Sequence, residues 1–121
     1  MTPQELAKEI ILTHAKKHHF EYEWLFKKWG KKGVKMYNGI HLDHHKQILT
    51  LYIKDNIEIP HTHLAKLLGY RDHSVIIHNL KKFRFLFQQN DDNVHNRYAD
   101  IAEWADKLLD LCTPLGKHCK N

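Results

Sequence analysis

The chain has 121 residues, 42% of them hydrophobic, and a formal net charge of +5 with its 12 histidines neutral. That length fits one domain, or one domain with a tail, and the apolar content suffices for a core without covalent staples. Two cysteines, Cys112 and Cys119, are too few for a disulfide framework and form no CxxC pair. No apolar run reaches transmembrane length and no signal-peptide core opens the chain, so a reduced cytoplasmic protein with no membrane partner is expected.

Thr2-Pro3-Gln4-Glu5 has the form of a capping box with Pro at the first helical position. The helix it starts carries Leu6, Ala7, Ile10, Ile11, His14 and Ala15 at helical spacing and should end near Lys17 to His19. Phe20 to Trp29 reads as a second, short helix, with Tyr22, Leu25, Phe26 and Trp29 on one side facing the core. Gly30 to Ile40 reads as a loop with a basic entrance, because Lys27, Lys28, Lys31, Lys32 and Lys35 crowd into it. Such a run is commonly a solvated surface, but it can also lie on phosphates or in a minor groove.

Leu42 to Asn56 predicts a helix, with a broad apolar face of Ile48, Leu49, Leu51, Tyr52 and Ile53. Pro60 restarts a helix with Leu64, Leu67 and Leu68 inward, and Gly69 ends it, as glycine does just past a C-cap. Asp72 is then the expected N-cap of a helix whose Ile76, Leu80, Phe83 and Phe87 share one buried stripe. Ser74, His78, Lys81 and Lys82 fall away from that stripe. After a short turn, Asn93 to Leu111 forms a last helix with Tyr98, Ile101, Trp104, Leu108 and Leu111 inward, and Thr113 to Asn121 is a tail. The expected class is therefore all-α, a bundle of about six helices, with one domain over residues 1–112 and a C-terminal tail over 113–121.

Charge is unevenly placed. Residues 61–90 carry Lys66, Arg71, Lys81, Lys82 and Arg84 against Asp72 alone, whereas residues 91–121 are rich in Asp and Glu. Two helices joined by a short Gly-containing turn, the second with a basic outer face, match a helix-turn-helix whose second helix enters the major groove.

The stretch Leu-Gly-Tyr-Arg-Asp-His-Ser-Val-Ile-Ile-His-Asn-Leu-Lys-Lys-Phe resembles the signature of the DNA-binding domain of the bacterial chromosomal replication initiator DnaA. Arg71, Asp72, His73, Ser74, Val75, Ile76, Ile77, His78, Lys81, Lys82 and Phe83 stand at the positions of that pattern. Lys46-Gln47 stand where the family has an Arg-Gln pair, and the lysine loop stands where the family places a minor-groove arginine. The similarity covers roughly residues 1–110. It implies a Trp-repressor-like C-terminal-domain fold and double-stranded DNA as partner. No Walker A motif occurs, so the expectation is a free-standing DNA-binding domain rather than an initiator ATPase. Val75 replaces the second hydroxyl of the family pattern, and the lysine loop lacks the planar fork of an arginine.

The expected DNA-contacting residues are Lys28, Lys31, Lys32, Lys35, Lys46, Gln47, Arg71, Asp72, His73, Ser74, Val75, His78, Lys81 and Lys82. Arg71 and the lysines would neutralise phosphates and set register. Asp72, Ser74 and Val75 would lie nearest the base edges, where Asp accepts from cytosine, Ser bonds either way and Val packs on a thymine methyl. No catalytic constellation appears, so no enzyme and no cofactor are expected. His14 and His18 have the spacing that places two imidazoles on one helical face, but no third ligand lies near them in sequence, and no metal is expected. The function expected is a sequence-specific, nucleoid-associated DNA-binding protein in replication or its regulation. The alternatives are a transcriptional regulator, or a phage or mobile-element protein acting on the host replication machinery. Replication proteins and a second copy of the chain remain open as partners.

Overall fold

The computed structural model describes residues 2–27 and 41–112. Five α-helices carry these residues: α1 (Pro3–Lys17), α2 (Leu42–Asn56), α3 (His61–Leu68), α4 (Ser74–Gln88) and α5 (Asp92–Cys112). One 3-10 helix, Tyr22–Phe26, follows α1. The class is all-α, as expected. The lysine loop and the expected C-terminal tail lie outside the described residues. Among the described residues, no helix is long and apolar enough to cross a membrane.

The bundle is built around α2. Leu42, Ile48, Leu49, Leu51, Tyr52 and Ile53 are all buried on this helix, and they project in too many directions for a single stripe. A helix apolar nearly all round has neighbours on every side. Here α4 and α5 pack on α2, α1 packs on α3 and α5, and α3 and α5 both pack on α4. Ile10 and Ile11 of α1, Leu64 and Leu68 of α3, Ile76 of α4 and Ile101 of α5 meet in one continuous core.

Burying α2 so completely takes polar groups inside, and each of its buried polar residues makes at least one hydrogen bond, while His45 Nε2 and Asn56 Oδ1 are left without a partner. Thr50 Oγ donates to the Lys46 carbonyl at 2.8 Å. Asn56 Nδ2 donates to the Tyr52 carbonyl at 2.9 Å and to the Tyr98 hydroxyl at 3.2 Å. The Tyr52 hydroxyl donates to Asp106 Oδ1 at 2.5 Å, which joins α2 to α5; burial, and then this bond, hold the phenol well above its ordinary range. Pairing of this kind offsets the desolvation that burial imposes on a polar group.

Local capping sets the lengths of the helices. The expected capping box opens α1: Glu5 N–H donates to Thr2 Oγ1 at 3.1 Å and Thr2 N–H returns to Glu5 Oε1 at 3.0 Å. Three helices close with one residue in the left-handed region, namely His19 (φ 61) after α1, Gly69 (φ 76) after α3 and Asn90 (φ 59) after α4. In each case the following amide reaches back five residues: Phe20 to Ala15 at 3.0 Å, Tyr70 to Ala65 at 2.9 Å, and Asp91 to Leu86 at 3.1 Å. This is the Schellman arrangement, which satisfies carbonyls that a helix end leaves orphaned.

Three sequence expectations are corrected. The short second helix is a 3-10 turn over Tyr22–Phe26, closed by bonds from Trp24 N–H to the Glu21 carbonyl and from Lys27 N–H to the Trp24 carbonyl. Leu25 alone of its residues is fully buried, and Phe26 is 49% exposed. On α5 the buried row runs Val94, Ile101, Ala105, Leu109, so Leu109 holds the place expected for Leu111, which is 85% exposed. Trp104 and Leu108 flank that row, half-buried. The ladder of α4 opens one residue late, with Ile77 N–H donating to the His73 carbonyl at 3.2 Å, although Asp72 still acts on the helix start as described below.

Candidate nucleic-acid interface

The α4 helix is two-faced. Ile76, Asn79, Leu80 and Phe83 are buried, while Ser74, Ile77, His78, Lys81, Lys82 and Phe85 are exposed on the other side. Arg71, Asp72 and His73 continue the exposed surface into the preceding turn. Among the described residues, no ion pair engages Arg71, Lys81 or Lys82, whereas Arg84 is paired with Asp55 at 3.0 Å. Lys81 and Lys82 are therefore not tied up in ion pairs, and Asp72, whose carboxylate interacts with Arg71, is the acidic group beside this face.

The start of α4 is organised by Asp72. Its Oδ1 accepts from Ser74 N–H at 2.8 Å and also from the Ser74 hydroxyl. Both bonds favour the carboxylate and hold Asp72 below its ordinary value. Ser74 is left with a hydroxyl whose proton is committed to Asp72 and whose lone pairs face out, so toward a ligand it is an acceptor.

The turn between α3 and α4 is anchored from beneath. A Cβ built on Gly69 would lie 2.3 Å from the Leu25 carbonyl oxygen, so the backbone of the 3-10 segment rests directly against the glycine. Tyr22 adds a hydrogen bond from its hydroxyl to the Leu67 carbonyl at 2.7 Å. Lys46 Nζ donates to the Leu25 carbonyl at 3.2 Å and lies 4.2 Å from the centre of the Tyr70 ring. Asn79 Nδ2 completes the set by donating to the Tyr70 hydroxyl at 3.0 Å, which links the turn to the first half of α4. Burial raises the Tyr70 phenol and lowers the Lys46 ammonium.

The structure thus brings Arg71, Asp72, His73, Ser74, His78, Lys81 and Lys82 onto one exposed surface, with Val75 half-buried at its edge. Lys46 is corrected from surface contact to internal brace, since it is 8% exposed and its ammonium is directed at Leu25 and Tyr70. Gln47 is half-buried beside it, with its Oε1 enclosed and unpartnered. Lys28, Lys31, Lys32 and Lys35 fall outside the described residues. Ile77 matches the initiator pattern but is absent from the expected contacts, and it lies 36% exposed in the middle of the polar face. Its place one turn from Ser74 and one turn from Lys81 is the signal that would have found it.

Comparison with protein-family models, curated proteins and solved structures gives no match.

A second cluster lies on α1 and α2. His14 and His18 face His45 of α2, and one ring nitrogen from each residue lies within 4.8 Å of the others. No third ligand lies near His14 and His18 in sequence, and folding supplies one from α2 in His45. His14 Nε2 and His45 Nδ1 share a hydrogen bond of 2.9 Å. Burial holds all three imidazoles below their ordinary range, His14 strongly and His45 to about 4.

Proposed function

We propose that this chain binds double-stranded DNA sequence-specifically, with α4 lying in the major groove and the turn before it on the backbone. The observation that carries this reading is the face of α4. Its buried side locks the helix to α2, and its open side presents Ser74, Ile77, His78, Lys81 and Lys82 in one stripe behind Arg71. In this reading α3, the turn and α4 form the helix-turn-helix. The resemblance of this stretch to the replication initiator's signature supports it, and points to replication or its regulation as the process served.

The chemistry divides the residues by role. Arg71, Lys81 and Lys82 neutralise phosphates and fix register. Ser74, as an acceptor, suits the exocyclic amino group of adenine or cytosine in the major groove, and Ile77 suits a thymine methyl. Asp72 positions Ser74 and sets the start of α4. Lys46, Tyr22 and Gly69 hold the turn still beneath the reading face, as a recognition element needs in order to place side chains on base edges.

Selection from a pool of random duplexes tests the proposal. The expected result is enrichment of one short motif, with Ser74→Ala relaxing preference for A or C at one position of it. A single neutral hydrogen bond is worth about 1 kcal/mol, so that relaxation is several-fold. Binding without sequence preference would remove the specific-reader role, and absence of binding at low salt would remove DNA as the partner.

A further inference from the structure

We propose that His14, His18 and His45 form a binding site for a divalent transition metal of the zinc class, which ties α1 to α2.

The geometry is that of a convergent site. The ring centroids of the three histidines are 4.2 Å (His14 to His18), 5.0 Å (His14 to His45) and 4.7 Å (His18 to His45) apart, close to an equilateral triangle. His14 in the last turn of α1 and His18 at its C-cap stand four residues apart, the spacing that aims two imidazoles at one point, and His45 arrives from α2. Zinc takes imidazole nitrogens at about 2.0–2.1 Å, which in a tetrahedral site puts them roughly 3.3 Å apart. The His14 to His45 pair, at 2.9 Å, is slightly too close for that and the set as a whole, within 4.8 Å, slightly too open. Small ring rotations close the difference.

The hydrogen bonding points the same way. Three neutral imidazoles offer six ring nitrogens. Among the described residues, one hydrogen bond joins His14 to His45, and His14 Nδ1 and His45 Nε2 are buried with no partner. A buried structural histidine ordinarily has both nitrogens engaged, and an orphaned one carries a desolvation penalty. These two residues are 2% and 3% exposed, so bulk water does not supply the missing partners. An ion replacing the shared proton would use the lone pairs that now compete for it.

There is also room and a countercharge. A cavity of about 20 Å³ lies between the rings, lined additionally by Ile48, Arg97 and Asp100. That exceeds the roughly 10–15 Å³ needed to seat one water, and so accommodates an ion at the centre of the rings. Asp100 of α5 brings a carboxylate to the wall. Arg97 is the adverse charge there, and its Nη1 lies 3.4 Å from His44 Nδ1. Nitrogen donors with a carboxylate nearby select zinc, cobalt, nickel or copper over magnesium or calcium. A metal that binds the folded chain and not the unfolded one adds its binding free energy to stability, so the role assigned is structural.

The test uses the full chain, free of any affinity tag and stripped with a chelator. Dialysis against Zn²⁺ should return one ion per chain, and Co²⁺ should give the visible absorption of a tetrahedral site. Zn²⁺ should raise the melting temperature of the wild type. His18→Gln should abolish all three responses, as should His45→Gln, whereas His63→Gln on the exposed surface of α3 should keep them. His18 is half-buried and its ring makes no hydrogen bond among the described residues, so its variant should fold even if the His45 variant does not. Absence of stoichiometric binding, or binding that survives His18→Gln unchanged, overturns the site and leaves only surface histidines as ligands.

Discussion

Gly69→Ala isolates the physical link between the core and the exposed face of α4. Gly69 sits at φ 76, where an L-residue costs roughly 1–2 kcal/mol because its Cβ crowds the following carbonyl. The position is also occupied from outside, since the new Cβ would lie 2.3 Å from the Leu25 oxygen and 2.8 Å from its carbonyl carbon. Backbone atoms cannot swing aside as a side chain does, so the 3-10 segment must retreat. Its retreat stretches the bond from Lys46 Nζ to the same oxygen, now 3.2 Å, and a charged hydrogen bond is worth about 1.5–3 kcal/mol. The expected loss is therefore roughly 2.5–5 kcal/mol, a large part of a domain's stability. Denaturant unfolding followed by circular dichroism measures it. The difference between Asn90→Ala and Asn90→Gly is the comparison, because it isolates the cost of an alanine Cβ at φ 59 after α4, about 1–2 kcal/mol. A Gly69→Ala loss no greater than that difference would show that the contact with Leu25 does not constrain the turn.

Arg71→Ala and Lys82→Ala should each reduce the slope of log affinity against log salt by about 0.9, the value for one phosphate contact, and leave the unfolding midpoint unchanged because both side chains are exposed. Lys46→Met should do the reverse. With its ammonium inside, the salt slope should stay at the wild-type value, and stability should fall by about 1 kcal/mol as the charged bond to Leu25 is lost and part of the burial cost is recovered. In the presence of a chelator the protein should be acid-labile before its carboxylates titrate. His14 and His45 are held below the ordinary value of 6.5, His45 to about 4, so the unfolded chain binds more protons as pH falls. The stability they contribute is full above about pH 6.5 and declines as pH drops towards 4. Melting temperatures that stay flat from about pH 7 to 5 would contradict that placement of the imidazoles.

Much of the fold is legible because its signals are local. The spacing of Ala7, Ile10, Ile11 and Ala15, and that of Ile76, Leu80 and Phe83, identifies the inward faces of α1 and α4 from residues one turn apart. The capping box at Thr2 and the glycine at position 69 mark a helix start and a helix end through bonds that span only a few residues. The left-handed closures at His19 and Asn90 use the same backbone geometry without a glycine to announce it, and so pass unnoticed.

The expectations that failed depend on partners far along the chain. Lys46 at a helix start reads as a surface cation until Leu25, 21 residues away, and Tyr70 enclose it. His45 has no ligand spacing in the sequence, and its partner His14 comes from 31 residues away. Lys46 and His45 both belong to α2, the helix whose surroundings are supplied almost wholly by other elements, and there periodicity loses its force because there is no solvent face to define an outside. The exposed face of α4 is the opposite case. Its exposure follows from its own amphipathic pattern, and its chemistry from side chains within three turns of one another. What lay beyond the sequence was the means by which that face is held still. Gly69, Lys46, Tyr70 and Asn79 form a brace assembled from three segments, and a change in any of them should alter the exposed face of α4 without touching it.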